Sequence, residues 1–232
     1  MPTPDFIEPD TIAIRAGDFA MGSDDHGANE APVRRVWVDA FALAKYPVSR
    51  REYALFVEAT AHPPPIFWDE PQFQHPDQPI VGPSWFDAVA YCEWLCKLTG
   101  RIYRLPTEAE REKAARGGLE GSDYPWGDGL PADHKGGRNT PLNRVGSEGP
   151  NGYGLCDMSA GVHEWCADYD DKSYYAVAPD RNPQGPESGE RRAARGGSWR
   201  HEVCFSRCAA RSSLAPDKQF SDFGFRCALT IE

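Results

Sequence analysis

No apolar run in this 232-residue chain approaches the roughly 20 residues needed to span a bilayer as a helix, which argues against a membrane protein. The stretch MPTPDFIEPDTIAIRAGDF has neither a basic start nor a hydrophobic signal segment, so a cytoplasmic location is expected. Basic residues are scarce: 25 Lys and Arg stand against 35 Asp and Glu, for a net charge of −10. A phosphate backbone or an anionic membrane is held by the opposite balance. Neither nucleic acid nor membrane is therefore an expected partner, and a basic peptide or protein is. GxSxG, HExxH and the phosphate-cradling P-loop are all missing, which removes three common catalytic classes. There is no repeat at solenoid spacing and no low-complexity tail. Seven cysteines, an odd number without an export signal, make a weak disulfide framework and leave at least one thiol free.

Large apolar surface is plentiful: 40% of residues are hydrophobic and 12% aromatic, enough to exclude general disorder. A single domain over 1–232 is the expectation at this length. Three segments have helix caps and helical periodicity. Ser49 with Glu52, Ser84 with Asp87 and Thr107 with Glu110 form capping boxes for helices over about 49–60, 85–98 and 107–116, the last two stopped by Gly100 and Gly117. IAIRAGDFAMGS and RRVWVDAFALAKY alternate as half-buried strands do. Residues 61–79 form a loop rich in proline and aromatics, and 170–194 a long polar loop.

Near the C-terminus, RGGSWRHEVCFSRCAARSS sets Cys204 and Cys208 four apart. They either share a helical face as soft-metal thiolates or pack as small core hydrophobes.

The segments GDFAMGS, RLPTEAEREKAARGG, YPWGD, NGYGLCDMSAGVHEWCAD and RGGSW…RCAARSS…GFRCA, in that order, resemble the formylglycine-generating enzyme (sulfatase-modifying factor) family over about residues 11–229. The resemblance implies one irregular α+β domain related to C-type lectin folds, with about three short helices and several short strands. Family enzymes oxidise a sulfatase cysteine to formylglycine with oxygen and copper held by two active-site cysteines. In this chain His201 occupies the first of those positions, and Cys204 lies one residue from the second. Cys208 matches a structural cysteine whose usual partner falls at Ala115, implying a lone buried thiol. Cys92 and Cys227 match a pair that is disulfide-bonded in some members, implying neighbouring sulfurs.

The same resemblance implies a Ca²⁺ site built from the side chains of Asp157 and Glu164 and the carbonyls of Ala160 and Val162, hard oxygens suited to that ion. A second calcium loop should lie near Asn139. Ser198 and Arg211 match positions lining the family's substrate groove, where a guanidinium fixes a peptide carbonyl or carboxylate. Arg111 stands where members commonly carry Trp and implies a less aromatic surface. His163 replaces the first Trp of a WEW triplet. With His201, Glu202 and Cys204 bordering the same cleft, an imidazole pair plus a thiolate or carboxylate suits Zn²⁺ or Fe²⁺.

Two functions are expected to compete. One is a calcium-stabilised peptide- or protein-recognition module, for example of immunity type, that has lost the copper-binding cysteine pair. The other is a metal-dependent oxidase with a rebuilt catalytic centre of Cys204, His201 and His163, holding copper, iron or zinc and acting on a cysteine-containing peptide or small molecule. The iron-dependent sulfoxide synthases that share this domain need a separate three-histidine helical domain for which this chain has no residues.

Overall fold

A computed structural model describes residues 5–130 and 140–231. The alternating N-terminal stretches form β1 (Thr11–Ile14), β2 (Gly17–Met21), β3 (Arg34–Val38) and β4 (Phe41–Ala44). They are followed by α1 (Arg50–Thr60), α2 (Trp85–Thr99), β5 (Tyr103–Arg104) and α3 (Glu108–Arg116). The remaining strands are β6 (His163–Tyr169), β7 (Arg192–Arg195), β8 (Arg211–Leu214), β9 (Phe223–Gly224) and β10 (Ala228–Thr230).

The helices start where the sequence places them. Ser49, Ser84 and Thr107 each accept the backbone N–H three residues on, and Glu52, Asp87 and Glu110 reach back to the cap N–H. Gly100 and Gly117 end α2 and α3 in the left-handed conformation. One sheet runs β1-β4-β10-β5, a second runs β8-β7-β6-β9, and β2 pairs with β3 as a separate ribbon. Every residue of β4 is buried because β1 and β10 flank it on both sides.

One core cluster is aromatic, with Tyr53 and Tyr91 stacked at 5.8 Å and Phe225 packed edge-on against both. Fully burying one such ring contributes about 1.5–3 kcal/mol. Cys92 and Cys227 lie in this cluster with their sulfurs 3.7 Å apart as thiols. The second cluster joins β2, β3 and α3 and contains Cys208 beside Ala114 and Ala115. Burial pushes the Cys208 thiol up to about 12.

The sequence of α3, EAEREKAAR, is mostly charged, yet all nine of its residues are buried. The polar side chains are satisfied one by one. Glu108 binds Arg211 and Arg195, Glu110 binds Arg104, Arg111 binds Glu164, and Glu112 binds Arg116 and Arg195. Lys113 donates to the carbonyls of Arg15 and Gly17. A buried charge is tolerated only when paired and hydrogen-bonded in this way.

Candidate functional site

The site forms where three chain segments meet at one end of the second sheet. β6 begins with His163, and β9 runs parallel beside it with Phe223 opposite His163. The His163 N–H donates to the Asp222 carbonyl at 2.8 Å, which fixes the residue just before β9 against the first residue of β6. The third segment leaves β7 through Gly196, Gly197 and Ser198. Gly197 sits at φ +68, and a Cβ there would lie 2.0 Å from Ser206 Oγ, so the turn accepts only glycine. The turn delivers His201, whose N–H donates to the Ser198 carbonyl at 3.1 Å.

These backbones bring the side chains together. His163 Nε2 and His201 Nδ1 are 3.0 Å apart. Ser198 Oγ donates to Asp222 Oδ2 at 3.0 Å and lies 3.3 Å from His201 Nδ1. His163 is buried and its Nδ1 meets no partner, which leaves Nε2 as the nitrogen facing His201. Burial holds the His163 imidazole below its ordinary range; the Asp222 carboxylate opposes this and His201 adds to it. At neutral pH His163 is an uncharged donor of a lone pair or of one N–H.

A cavity of about 600 Å³ opens over this group, lined by His163, His201, Cys204, Phe205 and Arg211, with His26 and Asp123 on its wall. His26 Nε2 and Asp123 Oδ1 are 2.9 Å apart. His163, His201 and Cys204 therefore share one cavity, as their places in the sequence suggest. Cys204 is exposed, and its sulfur stands apart from the group in which His163, His201 and Asp222 converge. Asp222 was invisible to sequence reasoning: it sits in SDFGFRC with no motif of its own, and only the β6–β9 pairing places it. A separate cavity of about 610 Å³, lined by Trp85, Arg104 and Glu110 among others, has no such convergence of ligating groups among the described residues.

The expected groove residues behave differently from each other. Ser198 is wholly buried beneath the cavity and is committed to Asp222. Arg211 lines the cavity, but Glu108 takes its guanidinium at 2.7 and 2.9 Å, and the carbonyls of Asn29 and Asp171 accept from it as well. It forms a wall more than a free binding group. Arg207, from the same RCAARS segment, is likewise locked to Glu30 by two bonds of 2.7 and 2.8 Å.

Residues 1–231 match the family described as the sulfatase-modifying factor enzyme 1-like domain. The chain belongs to this family. It is 34% identical to the formylglycine-generating enzyme of Thermomonospora curvata, in an alignment covering 97% of this chain and 95% of that protein. It is 30% identical to the mouse protein named inactive C-alpha-formylglycine-generating enzyme 2, covering 95% of this chain and 86% of that one. Among solved structures it resembles PvdO from Pseudomonas aeruginosa with a TM-score of 0.84 at 31% identity, covering 96% of this chain and 95% of PvdO. The fold is thus the irregular α+β fold of the sulfatase-modifying factor family.

Within this family fold, the DMSAG loop, where calcium donors are expected, has an unusual backbone. Asp157 and Ala160 both adopt left-handed conformations, at φ 54 and φ 58. The Asp157 carboxylate accepts the backbone N–H groups of Gly146 and Glu148. Burial raises its affinity for a proton, and those two N–H groups offset this in part. Ala160 and Val162 are buried in the same loop.

Glu164 is placed differently from the expectation. Both of its oxygens are held by arginines: Arg226 at 2.7 and 2.8 Å and Arg111 at 2.7 and 3.1 Å. A cation at that carboxylate has to displace a guanidinium. Burial alone raises the Glu164 carboxyl, but the two guanidiniums more than reverse this and hold it below its ordinary value. Arg111, read from the sequence as marking a less aromatic surface, is instead 1% exposed, and its guanidinium plane and charge are used on Glu164 and the Met158 carbonyl. That reading compared Arg111 with a family Trp, and the position is interior and not surface. Asn139, expected near a second calcium loop, lies outside the described residues.

Proposed function

We propose that this chain is an atypical sulfatase-modifying factor family protein whose cleft over His163 and His201 recognises a basic peptide or protein. The observation that carries the proposal is the cysteine content of the cleft. Among the described residues Cys204 is the only thiol lining it, while Cys92, Cys156, Cys166, Cys208 and Cys227 are buried. Copper(I) bound as a dithiolate needs two converging sulfurs, so this cleft does not fit that group. The other lining residues suit recognition. Phe205 is 57% exposed with its ring 6.0 Å from that of His201, offering an apolar face beside the acidic Asp123. The net charge of −10 steers cationic partners toward such a surface.

Calcium enters this proposal as a scaffold ion. Asp157 supplies the carboxylate and the carbonyls of Ala160 and Val162 the neutral oxygens, with Glu164 retained by its arginines. When bound, the ion neutralises a buried carboxylate and braces the loop that leads into β6.

The test uses the full chain and a fluorescein-labelled peptide with one cysteine flanked by arginines. Saturable binding that weakens with added salt, and an unmodified peptide cysteine by mass spectrometry after incubation with copper(I) and air, is the expected result. Conversion of the cysteine to formylglycine overturns the proposal, and so does the absence of binding at low salt.

A further inference from the structure

The geometry points to a transition-metal site formed by His163, His201 and Asp222, a ligand set that takes a divalent ion of the zinc class. One ligand atom from each of the three residues lies within 4.8 Å of the others, and among the described residues no other group of this kind forms. The site does not depend on whether the cleft takes a basic peptide.

Ligand spacing supports the assignment. A tetrahedral ion with nitrogen ligands at about 2.0–2.1 Å sets those nitrogens roughly 3.3 Å apart. His163 Nε2 and His201 Nδ1 stand at 3.0 Å, so an ion replaces the single proton they share with a small outward rotation of the rings. Two imidazoles and one carboxylate are borderline donors, suited to zinc or iron(II) and poorly suited to calcium.

The carboxylate is held ready for the ion. Ser198 Oγ donates to Asp222 Oδ2 at 3.0 Å, Arg200 lies 3.8 Å from Asp222 Oδ1, and the Asp222 backbone carbonyl accepts from the His163 N–H. Such outer contacts fix the orientation of a metal ligand before the ion arrives. Ser198, which sequence resemblance assigns to substrate, acts here as a positioning residue for Asp222. Because both imidazoles line the cavity, the remaining coordination position faces it and is open to water or to an electron-pair donor of a bound molecule. Cys204 lies in the same cavity but outside this ligand group.

Full-length protein, purified without an affinity tag and stripped with a chelator, is titrated with Co²⁺ alone, whose visible absorption reports a low-coordinate site. One Co²⁺ per chain is expected, displaced by Zn²⁺ and not by Ca²⁺. His201→Gln and Asp222→Asn should each weaken binding by at least about tenfold, while Cys204→Ser and His26→Gln leave it unchanged. His201 is 45% exposed on its side chain, so its replacement spares the fold, and a circular dichroism melt verifies this for each variant. Three results overturn the site: no Co²⁺ bound by the wild type, undiminished binding by both ligand variants, or binding lost in Cys204→Ser or His26→Gln.

Discussion

Arg226 clasps Glu164 through Nε and Nη2 with two hydrogen bonds of 2.7 and 2.8 Å in a wholly buried setting, while Nη1 donates to the carbonyls of Ala44 and Lys45 and Nη2 also to those of Cys156 and Asp157. One side chain thus ties β4, the DMSAG loop and β6 together. Replacing it leaves a buried carboxylate with only Arg111 and several carbonyls without a donor. Arg226→Ala is predicted to cost about 3–5 kcal/mol in urea unfolding, the range for breaking a buried ion pair. A loss below about 1 kcal/mol would show that water repairs the gap.

Glu108 makes the corresponding prediction for pH. Burial alone raises its carboxyl, but Arg211 and Arg195 together lower it below the ordinary 4.5. The unfolded chain therefore takes up this proton first as acid is added. The stabilisation is present above about pH 4.5 and is lost as the pH falls further. Glu108→Gln should destabilise the protein at neutral pH, and the gap from wild type should narrow steadily below pH 4.5. A gap independent of pH in unfolding curves would contradict the ionic role.

Thiol chemistry separates the two cysteines that lie four apart. Cys204 is exposed, whereas Cys208 is buried and its thiol is pushed up to about 12. At pH 8 iodoacetamide should modify Cys204 in the folded protein and reach Cys208 only after denaturant is added, as read by peptide mass mapping. Early labelling of Cys208 would mean that its cluster opens in the native state.

Calcium should act through Asp157. At about a hundred times its Kd a bound ion adds about 2.7 kcal/mol, which for a chain of this size raises Tm by roughly 5–10 °C. Asp157→Ala should remove that response. If the wild-type melt is indifferent to millimolar calcium, the loop is held by backbone hydrogen bonds alone.

Much of this architecture was legible because it rests on local chemistry. Ser49, Ser84 and Thr107 announce their helices through a cap and an acid three residues on, and both signals lie within one turn. His163, His201 and Cys204 were placed near one another through the order of family segments. Asp222 was not, because its role depends on the parallel pairing of β9 with β6, across about sixty residues that carry no periodic signal. Arg111 and Glu164 were read through the family positions they occupy, which do not show that the two side chains meet in the interior as an ion pair. The burial of all of α3 likewise lay outside what its charged sequence shows.

That helix has a consequence for how the chain is able to vary. A helix docked by an apolar stripe accepts many oily residues of similar size, since dispersion forces are indifferent to identity. Four polar residues of α3 are addressed to different pieces of the molecule: Glu110 to β5, Arg111 to β6, Glu112 to β7 and Lys113 to the turn before β2. A change at any one of them strands a specific correspondent elsewhere in the chain. Substitution there succeeds only when both ends change together, so a stretch that looks like freely mutable surface is among the most constrained parts of the protein.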